Sequence, residues 1–354
     1  MPQERVGVDV IPIPSLARPG EPNSEASRDG HELGQPDDNP YSLLSWNQKR
    51  CIAILAGIAA MFSPLTSNIY LPCIPTLQQE YETSLQLMNA TITAYLVMQG
   101  ISPTLFTQLA EKLGRRPVYL LTFSIFVVSS TVLALQGSYA ALLLMRTAQS
   151  VGASVSSSLG YAVVSDIAAP SEKGRAFRPV GLLVNLGPVL APVIGGPICH
   201  QVGWRWVFWF LTIIGSVFLV CIVLLLPETN RKVVGNGSIA AHGLNKPVLH
   251  VLAPKATNFE VPQELQRLSI WKTLTAVAPN PLKSFKMILE KDTFFVLFAT
   301  GTFHTMYTVC QTTLPTLFKD AYGFNETQIG LCFLAISIGV IFGSYLQSEL
   351  CSGR

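Results

Sequence analysis

Three short stretches of this 354-residue chain combine residue types at spacings that could do chemistry. The first is TQLAEKLGRRPVYLL, Thr107 to Leu121, which sets a carboxylate, a lysine, a glycine and two arginines between apolar runs. Arg115 and Arg116 can bond helix-end carbonyls there, and Gly114 permits a tight turn. Any short cytoplasmic loop also gathers positive charge, so that reading stays open. The second stretch, LLLMRTAQSVGASVSSSLGYAVVSD, buries Arg146 in an apolar run. A charge in such a run is costly unless it faces a cavity or a partner, which makes Arg146 a functional candidate. Arg146, Gln149, Ser150, Ala153, Ser157 and Gly160 recur at helical spacing as one polar, small-residue face. For its serines and glycines, plain helix packing fits as well as function does. Asp166, at the far end of this helix, is placed to meet the arginines of the first stretch, in an ion pair that would hold three helices in one conformational state. The third stretch, LGPVLAPVIGGPI, Leu186 to Ile198, sets three prolines and three glycines in an otherwise apolar run.

The elements that must carry these residues are membrane helices. The chain is 49% hydrophobic and 13% charged, with a mean hydropathy of +0.40, which excludes an ordinary soluble protein. Apolar blocks long enough to cross roughly 30 Å of hydrocarbon fall near 51–72, 86–107, 117–136, 139–165, 177–199, 205–227, 293–317 and 328–350. These eight spans predict an all-α polytopic membrane protein: a cytoplasmic tail over 1–45, a six-helix bundle over 46–227, a cytoplasmic linker over 228–292 and a partial second bundle over 293–354. The first forty residues are rich in Pro, Glu, Asp, Ser and Gly and hold no apolar signal-peptide core, so they read as a solvated, disordered tail. With the N-terminus inside, the cytoplasmic segments hold 21 of the 24 Lys and Arg: five in the tail, three in the second gap, three in the fourth, nine in the linker and the terminal Arg354. Arg205 and Lys319 lie outside, and Arg146 alone lies within a span. That asymmetry orients the chain.

Polar groups stranded in apolar helices are the candidates for a substrate cavity: Asn68 in span one, Tyr95 and Gln99 in span two, Arg146 and Gln149 in span four, and Asn185 in span five. His304, Tyr307 and Gln311 in span seven are spaced by three and four and share a face. Walls of aromatics and amides suit amphiphilic organic molecules. His304 titrates in a useful range and is a candidate proton carrier, although a lone His is commonly structural. The spans hold no carboxylate near their centres. No nucleophile with its base, metal-ligand cluster or phosphate-cradling loop is present, so an enzyme, a metal site and a cofactor are not expected, and nothing suggests nucleic-acid binding. The seven cysteines are scattered without a CxxC pair and read as small buried hydrophobes.

The chain resembles the major facilitator superfamily, specifically the twelve-span fungal drug:proton antiporters of the quinidine-resistance multidrug type. The first stretch is similar to that family's motif A through Leu109, Ala110, Lys112, Gly114, Arg115 and Arg116, with Thr107 and Glu111 replacing a glycine and an aspartate. The second is similar to motif B through Leu142, Arg146, Gln149 and Gly152, with Ser150 where a glycine is usual. The third is similar to motif C through Gly187, Pro188, Pro192, Gly195 and Gly196, with Ala191 departing. Gly57, Pro64 and Pro72, with the segments SDIAAPSEKGRAF and LPETNRKVVGNGS, extend the likeness over about Leu44 to Leu350. The resemblance implies an efflux transporter in the plasma membrane, exporting drugs or a secondary metabolite in exchange for protons. It implies gating and coupling roles for Glu111, Gly114, Arg115, Arg116 and Asp166, and for the five motif C residues as a hinge and seal packed on span eight. The family has twelve spans, so four are expected beyond these eight. A non-transporting remnant or a binding and sensing protein is the alternative.

Glycan acceptors test the topology. Asn325 lies in an expected outer loop, Asn236 in the linker and Asn89 at the start of span two. Peptide mapping of the membrane-inserted protein from a glycosylating host is expected to find sugar at Asn325; sugar at Asn236 would overturn the orientation.

Overall fold

The computed structural model describes residues 42–235, 245, 249 and 290–352. Most of the expected tail and linker, including Asn236, lies outside the described residues. The described part is helical, and its eight long helical segments fall where the eight spans are expected. The chain starts with α1 (Trp46–Asn68), a 3₁₀ turn at Leu71–Cys73 and α2 (Ile74–Glu80). Then come α3 (Leu85–Leu113), α4 (Arg115–Leu135), α5 (Tyr139–Ile167), α6 (Lys173–Val202), α7 (Trp204–Leu225) and the short α8 (Arg231–Val234). The last two are α9 (Lys291–Tyr322) and α10 (Glu326–Ser352). By length and composition alone, four of the described helical segments suffice to cross a membrane: Trp46–Glu80, α4, α6 and α7.

Local chemistry sets the helix starts. Ser45 Oγ accepts from Gln48 N at 3.4 Å while Gln48 Oε1 accepts from Ser45 N at 3.0 Å, a reciprocal cap on α1. Ser84 and Ser138 cap α3 and α5 in the simpler one-way form. Asn325 and Gln328 repeat the reciprocal arrangement at α10, with bonds of 2.9 and 3.1 Å. Two boundaries differ from expectation. The first span runs on to Glu80, because Pro72 and Pro75 occupy early positions of the 3₁₀ turn and α2, where no N–H is needed. The gap expected between spans two and three contracts to Gly114 alone, whose φ of 108° few other residues adopt.

α5 is the central helix, packed on α1, α3 and α4, while α6 lies between α1 and α10. Phe62 of α1 meets Phe123 and Phe126 of α4 edge to face at 5.2 and 5.6 Å, and Phe218 of α7 completes the cluster at 5.3 Å. The breakers of α6 lie within a continuous helix and serve close approach on two sides. Gly187 faces Met61, Pro64 and Leu65 of α1, and Gly195 faces the Ile69 carbonyl just beyond it. Gly196 faces α10, where a Cβ would stand 2.5 Å from Glu326 O and 3.2 Å from Gly330 Cα. Motif C was expected to pack on span eight; only part of it does, because successive glycines on a helix point to different neighbours.

This crossing makes a direct test. Gly196→Leu is expected to lower the melting temperature of the purified protein by forcing α6 from α10, at about 1–3 kcal/mol for overpacking. Gly100→Leu, which meets open space, is expected to leave it unchanged.

Candidate functional site

Arg146 is 1% exposed, in the middle of the bundle. Its guanidinium carbon lies 4.4 Å from the Tyr70 ring centre and 4.5 Å from that of Tyr95. Nη1 donates to Gln149 Oε1 at 2.8 Å and to the Thr66 carbonyl at 3.3 Å. Gln149 Nε2 in turn donates to Ser130 Oγ at 2.8 Å. Among the described residues no carboxylate pairs with Arg146, and its Nε has no hydrogen-bond partner. The charge is therefore held by two aromatic faces, one amide and one carbonyl, all neutral. The serines of the same helix behave otherwise. Ser150 Oγ donates to Tyr95 O at 2.6 Å, Ser156 Oγ to Ala59 O at 2.7 Å and Ser157 Oγ to Ala60 O at 2.8 Å, while Gly160 abuts the Ala56 carbonyl. For them the packing reading holds.

Arg146 lines a cavity of about 120 Å³. Asn68, Tyr95 and Gln99 line it from α1 and α3, and His304, Tyr307 and Gln311 from α9. Seven of the nine residues expected to meet at one cavity therefore do so. Gln149 does not: it is fully buried behind Arg146, with its amide bridging Arg146 and Ser130. Asn185 does not either, because it is exposed on α6, where Pro188 is the residue that reaches the cavity. The wall is polar but neutral apart from Arg146: Asn68 Nδ2 donates to Pro64 O at 2.7 Å, Gln99 Nε2 to Ser63 Oγ at 3.0 Å and Gln311 Nε2 to Tyr307 Oη at 2.8 Å. A larger groove of about 410 Å³ between α3 and α9, with Asn89 and Asp320 in its wall, shares Thr312 with this cavity.

At the Gly114 end of the bundle, Arg115 Nε donates to Asp166 Oδ2 at 3.0 Å, the ion pair expected from sequence. Glu111 is not part of it; it pairs with Lys232 Nζ at 3.0 Å on the surface. The organising carboxylate is Glu228, which the sequence reading did not single out. Its Oε1 accepts from the backbone N of Arg115, Thr229 and Asn230 at 2.8, 3.0 and 2.9 Å, and its Oε2 from Arg116 N at 3.1 Å. Two of these are orphan donors of the α4 N-terminus, where a negative charge is favoured. Burial pushes the Glu228 carboxyl above the usual range, and the four N–H bonds oppose that rise. Arg116 Nη2 donates to Val223 O at 2.6 Å, and Asn230 Nδ2 to Ala110 O and Glu111 O at 3.0 and 2.9 Å. The signal was present in the segment LPETNR: an acid directly after an apolar helix, with Asn and Arg following.

At the opposite end, Glu326 joins four helices. Its Oε1 accepts from Thr76 Oγ1 of α2 at 2.7 Å and lies 3.6 Å from Lys319 Nζ of α9; its Oε2 lies 3.1 Å from His200 Nδ1 of α6. Burial raises this carboxyl, but the Thr76 bond, its own backbone N–H, His200 and Lys319 outweigh burial and hold it below the ordinary range. Asn325 beside it is half-buried, with Oδ1 engaged as the helix cap.

A profile described as Major Facilitator Superfamily matches residues 56–354. The chain belongs to that superfamily. It is a multi-pass membrane protein and, like its transporter relatives, not an enzyme. It is 38% identical over 319 residues to the MFS-type transporter phiD of a fungal species, covering 89% of this chain and 48% of that one. It is 31% identical to citrate exporter 1 of Aspergillus niger, covering 98% and 66%, and 33% identical to the multidrug transporter AQR1 of Candida glabrata, covering 93% and 55%. The chain spans about half to two thirds of the length of these relatives. A bacterial homologue of the lysosomal transporter Spinster, solved in an inward-facing conformation, shares the fold with a TM-score of 0.58 at 12% identity, covering 87% of this chain and 64% of that one. The human organic anion transporter MFSD10 does so with a TM-score of 0.51 at 20% identity, covering 82% and 70%.

Glu228→Gln keeps an acceptor oxygen for at most three of the four backbone N–H groups, sets an NH2 donor against the fourth and removes the charge, and is expected to destabilise the protein by about 1–3 kcal/mol. Glu111→Gln removes only an exposed pair, worth up to about 1 kcal/mol. Thermal melts of the two variants check the contrast.

Proposed function

We propose that this chain moves amphiphilic small molecules out of the cell by alternating access, driven by protons, in the plasma membrane with its N-terminus on the cytoplasmic side. The observation that carries this reading is the cavity at Arg146, walled by helices of the first bundle and by α9 of the second. A site between two bundles becomes accessible from one side or the other when they rock. The contacts at the two ends are of the kind such rocking needs. The Arg115–Asp166 pair and Glu228 tie α4, α5 and the chain after α7 into one rigid unit, whereas Glu326 crosses from α10 to α2 and α6 and must be released for the bundles to part. Efflux as the direction is supported by relatives described as a citrate exporter and a multidrug transporter.

Glu326 is also a better proton site than His304. His304 is exposed on α9 and holds no closing contact among the described residues, whereas Glu326 faces Thr76 and His200 across the junction and Lys319 within its own bundle. Its protonation weakens all three interactions at once, so binding a proton favours parting of that end. The linkage has the matching sign: a carboxyl held below its ordinary range stabilises the closed form above that range, and this is lost as pH falls through the lowered value.

The test is accumulation of a fluorescent amphiphile in cells expressing the protein, with and without a protonophore. The expected result is low accumulation that rises when the gradient is collapsed. Efflux indifferent to the gradient would remove proton coupling, and Glu326→Gln is expected to give that indifference by design.

A further inference from the structure

Among the described residues, the cavity contains one fixed charge and nothing of opposite sign. Arg146 is the sole Lys, Arg, Asp or Glu among its described lining residues. The guanidinium is fully buried, its nearest neighbours are neutral, and its Nε donor points to no acceptor. In a chain that crosses a membrane, a buried cation held this way is balanced either by a distant charge or by something that comes and goes. Cation–π contacts with Tyr70 and Tyr95 position the guanidinium without neutralising it. Burial leaves an unmet donor costly, and a carboxylate is the group that a guanidinium binds best.

From this we infer that the cavity takes an organic anion, whose carboxylate supplies the missing partner of Arg146 while its apolar body lies against the aromatic wall. This narrows the amphiphilic substrate class and rests on the reading of the cavity as the transport site. The rest of the wall agrees. Tyr307 and the amides of Gln99 and Gln311 offer donors for a second oxygen, and no carboxylate among the described lining residues repels an anion. An organic cation, by contrast, would meet Arg146 with no counter-charge in reach.

Benzoate, benzamide and benzylammonium form a series of nearly one shape with charges −1, 0 and +1, and their binding to the purified full chain can be followed by ligand-detected NMR titration. The expected order is benzoate at least ten-fold tighter than benzamide, with benzylammonium weakest. Arg146→Gln is expected to erase the preference, and Arg146→Lys to keep its sign at reduced affinity. If Arg146→Gln fails to fold, Gln99→Glu serves instead: this half-buried, nearly isosteric change gives the cavity an internal carboxylate and is expected to abolish the benzoate preference. Equal affinity for all three probes, or benzoate binding untouched by both variants, would overturn the charge assignment while leaving the cavity reading standing. No binding of any probe to folded wild-type protein, together with no efflux from cells, would remove the cavity reading itself.

Discussion

A guanidinium sealed inside a membrane bundle is the constraint around which the rest of this structure is arranged. Arg146 cannot shed its proton, so the helices around it must supply polarisable or dipolar partners wherever they touch it. Tyr70 and Tyr95 supply ring faces, Gln149 an amide oxygen and Thr66 a carbonyl. Each comes from a fixed place: Tyr70 just past α1, Tyr95 from α3 and Gln149 one turn along α5. The serine bonds from α5 to Tyr95, Ala59 and Ala60 then lock α1 and α3 onto α5 at the separation that this sandwich requires.

Packing and electrostatics divide the work between the ends of the bundle. At the Gly114 end the chain reverses within one residue, and the exposed donors of α4 are taken up by Glu228. That junction is internal to the first six long helices and behaves as a brace. At the Glu326 end the carboxylate belongs to α10 while its partners belong to α2, α6 and α9, and the glycine crossing of α6 on α10 lies directly beneath it. Backbones in contact separate as rigid bodies or not at all, so one carboxylate placed above such a crossing has leverage over both bundles.

Much of this was legible in the sequence, and the exceptions have physical causes. Arg146 announced itself because a charge in an apolar run has few innocent explanations. Asp166 and Arg115 could be paired because both sit at helix ends on the same side of the membrane. Seven cavity residues were found because polar groups on apolar helices must turn inward. Gln149 and Asn185 fit the same rule and lie elsewhere, since periodicity gives a face but not which neighbour the face meets. Glu228 and Glu326 escaped notice because surface carboxylates are ordinary in sequence; their weight comes from partners more than a hundred residues distant, such as Arg115 and Thr76. The cysteines show a smaller discrepancy: Cys73 and Cys199 are buried as expected, but Cys51 and Cys310 are exposed, because an apolar helix gives no sign of which of its faces a neighbour covers.

The central claim is that the positive charge of Arg146 is left open to a ligand at the cavity. An experimental structure of the protein with benzoate bound tests it most directly. The account expects the benzoate carboxylate against the side of the Arg146 guanidinium that lines the cavity, and its ring against Tyr95 or Tyr307. A protein carboxylate paired with Arg146, or benzoate seated away from it, would contradict the account.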